Sequence, residues 1–231
     1  MDTDIDMDTD ADTDTDRALV GILLDRYGRT YAEEAGIRLA DKPGPLYQLL
    51  VLTTLLSARI SSDIAVAAAR ELFAAGYRTP RSMRKASWQD RVDALGRGHY
   101  RRYDERTSTM LGRAADMLID RWSGDLRRLR EESGCDPRRI KALLTELPGI
   151  GPTGADIFLR EVQVVWPQVA PYVDDRVLDA ARTVGLPRQG GPLAALVGSD
   201  DDLARLSAAL IRVSRRKGST DEVKSAARSP R

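Results

Sequence analysis

The stretch Leu147-Pro148-Gly149-Ile150-Gly151 sets one apolar residue between two glycines, and helical patterns flank it on both sides. Before it, Ile140, Leu143, Leu144 and Leu147 recur at helical spacing. Pro148 stops that helix. Gly149 and Gly151 suit a turn that needs positive φ or a close backbone approach. Pro152 is acceptable in the first turn of a second helix, which Ala155, Ile157, Phe158 and Leu159 continue. The chemistry available to such a hairpin is anion binding. Its glycines leave backbone N–H groups unshielded, and the second helix directs its unpaired N–H groups and positive dipole end the same way. A phosphate held there needs no basic side chain, so the contact is blind to base sequence. Leu147, Gly149, Ile150, Gly151 and Thr153 are therefore the expected DNA-binding residues of this unit. The competing reading is a purely structural corner between two helices.

A second candidate is the loop Gly98-His99-Tyr100-Arg101-Arg102-Tyr103, which mixes aromatics with arginines. That mixture suits base stacking and phosphate contact, and Tyr100 and Arg101 are its candidate DNA contacts. Alternatively, Tyr100 and Tyr103 are core aromatics with wet hydroxyls. The chain has one cysteine, Cys135, and one histidine, His99. An internal disulfide, a cysteine-ligated iron–sulfur cluster and an all-histidine metal centre are thereby excluded. We expect no cofactor and no metal. A serine or cysteine triad would have to use His99, and no nucleophile motif points to it.

The formal net charge of +1 hides an asymmetry. Residues 1–16 contain eight Asp and no Lys or Arg, which leaves 36 basic against 27 acidic residues in the remainder. A basic body of that kind suits a polyanion partner. No apolar run reaches the ~18 residues of a membrane span, and the acidic N-terminus lacks a signal-peptide core. A cytoplasmic protein working at the nucleoid, without a membrane partner, is the expectation.

The elements that would position these residues are all helical. Residues 1–16 read as a disordered acidic tail. A first helix follows from Arg17 to Gly28, and residues 29–45 read as an irregular connection. Leu46 to Ser57 is a nearly continuous apolar segment, predicted to be a buried helix. Ser61 and Ser87 are N-cap candidates, Thr79-Pro80 starts a short helix, and Tyr103 to Trp122 is a long amphipathic one. Asp136-Pro137 launches the first hairpin helix. Helices are also expected from Asp175 to Val184, Pro192 to Val197 and Asp202 to Arg216. Residues 217–231 read as a disordered basic tail. No strand pairing is apparent, so the fold class is all-α.

The hairpin resembles that of the endonuclease III-like DNA glycosylases, the helix-hairpin-helix superfamily. Two further segments carry the resemblance. Leu55-Leu56-Ser57-Ala58-Arg59-Ile60-Ser61-Ser62-Asp63 is similar to that family's Leu-Leu-Ser-Ala-Gln-x-Thr-Asp segment. Pro171-Tyr172-Val173-Asp174 matches the place of its Val-Asp motif. Three landmarks in the right order cover residues 46 to 185, and they point to the superfamily more specifically than to any one branch of it.

The resemblance implies a two-domain fold. A six-helix, barrel-like domain at 46–160, with the hairpin pair at 140–159, would be inserted in a helical domain made of 17–45 and 161–216. It also implies roles. Asp174 would be the catalytic carboxylate, with Asp175 as the register alternative, and Arg59 would stand where the family's glutamine enters the DNA stack.

One departure is informative. Bifunctional members carry lysine in Gly-x-Gly-x-Lys-Thr-Ala, and here Thr153 takes that place. Threonine cannot form a Schiff base with a sugar. The expected function is thus a monofunctional DNA N-glycosylase of base excision repair, a monomer without an iron–sulfur cluster that acts on lesion-bearing duplex DNA. The alternative is a non-catalytic helix-hairpin-helix protein that binds DNA structure or damage. The damaged or mismatched base is not specified by these residues.

Overall fold

The structure is a computed structural model that describes residues 6–228, with side chains described from Asp14 to Ala227. Among the described residues every regular element is helical. No helix among them is long and apolar enough to cross a membrane. The chain divides into two compact units, one of residues 31–169 and the other of residues 1–30 and 170–231.

The first unit is built around α3 (Pro43–Leu56), where Leu46, Leu49, Leu50, Leu52 and Leu55 are all buried. A helix that is apolar on every face belongs inside a bundle. Around it lie α2 (Tyr31–Glu34), α4 (Ser62–Ala74), α5 (Pro80–Lys85), α6 (Trp88–Arg97), α7 (Asp104–Trp122), α8 (Leu126–Glu132), α9 (Pro137–Glu146) and α10 (Pro152–Val162). Their starts follow from local sequence. The Ser61 side chain accepts from the Ile64 N–H, Thr79 and Ser82 form a capping box, and Ser87 and Asp90 form another. The buried Arg91 ties three elements together: its guanidinium donates to the carbonyls of Met83, Ala86 and Ser108 at 3.0, 2.7 and 3.0 Å. Gly112 leaves room for it, because a Cβ there would lie 2.9 Å from an Arg91 nitrogen.

The second unit contains α1 (Asp6–Tyr27), α11 (Asp175–Val184), α12 (Gly190–Ala194), α13 (Asp200–Arg215) and α14 (Ser219–Arg228). Leu19, Leu23, Val177, Ala181, Leu206, Leu210, Val213 and Val223 form its core. Arg212 donates to the Tyr27 carbonyl at 2.7 Å, which joins α13 to the end of α1.

Several boundaries differ from the expected ones. Residues 31–45 and 161–169 belong with the first unit, not with the terminal helices. The cause is a set of long-range polar links. Glu161 accepts from the N–H groups of Tyr31 and Ala32, both at 2.9 Å, and so caps α2. Asp41 accepts from Trp166 Nε1 at 2.9 Å and from Arg130 at 3.1 Å. Trp166 is itself buried edge-on to Phe158. The two expected disordered tails are also corrected in part. Residues 6–16 continue α1. Residues 219–228 form α14, anchored by the fully buried Val223. The remainder of both tails, 1–5 and 229–231, lies outside the described residues.

Candidate nucleic-acid interface

The hairpin forms as its sequence requires. Asp136 caps α9 by accepting from the Arg138 N–H at 2.8 Å, with Pro137 in the first turn. Leu147 leaves helical geometry immediately before Pro148. Gly149 has φ +92°, and a Cβ there would meet Thr54 Cγ2 at 3.0 Å and Met110 Cβ at 3.3 Å. Both the left-handed backbone and the close approach demand glycine. Gly151 is the N-cap of α10 and provides no side chain to cap it, while Pro152 occupies the first turn. The N–H groups of Thr153 and Gly154 are thus left uncapped by any side chain at the positive end of the helix dipole.

Leu147 and Ile150 are 1% and 4% exposed. These two expected contacts are buried, so their apolar side chains fix the turn in the core while both residues line the groove beside the hairpin. Gly154, one residue past Thr153, meets α3 closely. A Cβ on it would lie 2.6 Å from Ser57 Oγ, and that hydroxyl donates to the Thr53 carbonyl at 2.7 Å.

The hairpin is one wall of a groove of about 670 Å³. Thr145 to Gly154 line one side, with Thr54, Ser57, Ala58 and Arg59 from the end of α3 and the loop after it. Tyr100, Tyr103, Arg106, Thr107 and Met110 complete the lining. Arg59 is exposed on this groove. Tyr100 is wholly buried, its hydroxyl 3.5 Å from Thr107 Oγ1. Burial pushes its phenol above the usual range, so it stays protonated, and the Thr107 hydrogen bond offsets this only in part. Arg101, by contrast, is exposed and does not line the groove.

Tyr103 closes the candidate loop, and Arg106, Thr107 and Met110 are groove residues that the sequence reading did not assign. Their spacing is i, i+3, i+4, i+7, one face of a helical pattern, with Tyr103 as the N-cap of α7. Helical spacing alone does not say whether such a face meets a core or a cavity.

Lys141 pairs with Asp156 at 2.5 Å across the two hairpin helices and is not part of the groove lining. Asp174, in the other unit, is the N-cap of α11. Its Oδ1 accepts from the N–H groups of Arg176 and Val177 at 2.9 and 3.4 Å, and the residue is half-buried. Asp175 is exposed in the first turn of the same helix. Cys135 is exposed in the turn before α9. A four-thiolate cluster does not fit a chain with this single thiol.

No protein-family profile and no curated protein matches the chain. Among solved structures, the chain is similar to endonuclease III bound to DNA. One such structure is a trapped covalent intermediate with an estranged adenine: 19% identity over 79% of this chain and 81% of that one, TM-score 0.46. Another is a non-covalent complex, with 19% identity over 78% and 80% of the two chains and a TM-score of 0.47.

Proposed function

We propose that the protein is a DNA-binding, monofunctional N-glycosylase that removes a damaged or mismatched base from duplex DNA. The observation that carries this reading is the glycine turn before α10. It leaves the start of that helix without a side-chain cap, beside a groove whose rim holds Arg59 and Arg106. A DNA phosphate is the ligand suited to unshielded N–H groups at a dipole's positive end. Tyr103 and the guanidiniums suit the nucleotides on either side.

In the proposed reaction, water attacks C1′ of the target nucleotide as the N-glycosidic bond breaks. The base departs with the bonding pair and takes up a proton. Asp174 stabilises the positive charge that develops on the sugar and accepts the proton lost by the water. Thr153 supplies no amine, and Lys141, on the preceding helix, is held by Asp156. No Schiff base forms, so the strand is left intact at an abasic site. Neither a metal nor a cluster takes part, and the protein acts as a monomer.

The test is a panel of duplexes, each with one defined lesion, incubated with protein and then split. Strand cleavage only after hot alkali establishes the reading and names the base. Cleavage without alkali overturns the argument from Thr153. A second reading, non-catalytic binding of damaged DNA, draws on Asp174 Oδ1 being engaged as a cap. Salt-sensitive binding without base release from any lesion selects it.

A further inference from the structure

Glu146 is the last residue of α9, directly before the turn, and it lines the groove. It is the only carboxylate among the lining residues, where the other charged groups are Arg59 and Arg106. Its position is unfavourable twice over. A carboxylate at a helix C-terminus opposes the dipole, and a carboxylate three residues before Gly149 repels an incoming phosphate.

Arg121, near the end of α7, answers this charge. One guanidinium nitrogen bonds Glu146 Oε2 and the other bonds Glu132 Oε1 of α8. The guanidinium also lies 4.4 Å over the Trp122 ring. Glu132 in turn accepts from Trp122 Nε1 at 2.7 Å. Arg121 is thus fixed by two carboxylates and a ring, and it does not itself line the groove.

We propose that Arg121 is a positioning residue for nucleic-acid binding: it holds and neutralises Glu146 so that the hairpin can receive a phosphate. This rests on the DNA-binding reading above. The Arg121–Glu146 pair sets the charge of the groove's hairpin wall without touching DNA.

The experiment measures the affinity of the full-length protein for a fluorescently labelled duplex across a salt series, with the thermal midpoint recorded for each variant. Arg121→Ala should weaken binding about three- to tenfold at low salt, with the difference shrinking as salt rises. Glu146→Gln should bind at least as tightly as the wild type. The Arg121→Ala/Glu146→Gln double variant should return to within about twofold of the wild type. Arg97→Ala, which frees Glu71 from a 3.0 Å pair outside the groove lining, controls for net charge and should have a smaller effect.

A double variant as weak as Arg121→Ala would overturn the proposal, because Arg121 would then act as a contact or a staple in its own right. An Arg97→Ala loss equal to that of Arg121→Ala would also overturn it. Should Arg121→Ala not fold, Arg121→Gln keeps a hydrogen-bond donor without the charge and faces the same comparison. Absence of salt-sensitive binding by the wild type would overturn the DNA reading itself, and this inference with it.

Discussion

The starts of α10 and α11 are chemically opposite. At α10, Gly151 is the N-cap and supplies no acceptor, so the first-turn N–H groups remain for an external anion. At α11, Asp174 is the N-cap and its Oδ1 takes the N–H groups of Arg176 and Val177. One helix start has no side-chain acceptor, and the other carries its own carboxylate. The contrast shows how one rule, that a helix N-terminus seeks an acceptor, can leave a helix start open or fill it with a fixed carboxylate. The residue at the cap decides which.

The comparison can be broken most decisively at Asp174. Asparagine retains an oxygen that can cap, so Asp174→Asn should keep the thermal midpoint and the DNA affinity. It should lose base release by about 10²- to 10⁴-fold, the usual span for a general base. Single-turnover kinetics with a duplex carrying the active lesion measures this, and full activity in the variant would sink the role of Asp174. Asp174→Ala should add a loss of stability of ~1 kcal/mol, typical of a deleted cap.

At the other helix start the sharpest change is Gly149→Ala. The left-handed backbone and the 3.0 Å approach to Thr54 should together cost ~1–3 kcal/mol. Chemical denaturation should show that loss, and duplex affinity should fall with it. If affinity were unchanged in a variant so strained, the turn would not be the phosphate site.

Gly154→Ala is predicted to be milder, at ~1–2 kcal/mol, because the atom it meets is the Ser57 hydroxyl at 2.6 Å. A combined Ser57→Gly/Gly154→Ala variant should recover most of that stability. No recovery would mean that helix–helix spacing, not the hydroxyl, sets the limit.

The smallest effect is expected from Arg59→Ala. It should weaken binding evenly across sequences and lower the slope of log affinity against log salt by about one, as the loss of one phosphate contact does. A sequence-dependent loss would instead mark Arg59 as a base reader.

Much of the hairpin side of this comparison was legible in the sequence. The turn is local: Pro148, Gly149 and Gly151 dictate it within a few residues, and Asp136-Pro137 announces the helix before it. The cap at Asp174 is equally local. The opposite wall of the groove was less legible. Tyr103, Arg106, Thr107 and Met110 form a helical stripe, but a stripe does not say whether it meets a core or a cavity. Tyr100 was placed between two readings, and the structure gives it both features: it is buried and it lines the groove. The unit boundaries depended on Glu161 reaching Tyr31 and Ala32, and on Asp41 reaching Trp166, across more than a hundred residues. No periodicity encodes such pairs.

The sequence by itself determined an all-α chain, the glycine hairpin between two helices, the carboxylate cap at Asp174 and the absence of a lysine at Thr153. These follow from backbone chemistry over spans of one or two helical turns. Only the tertiary structure decided that Leu147 and Ile150 are buried where they line the groove, that Gly154 makes room for Ser57, that α7 supplies the groove's other wall, and that Arg121 meets Glu146. Each of these is a contact between elements distant in sequence. Such contacts are selected by packing and charge pairing in three dimensions, and local propensity carries no information about them.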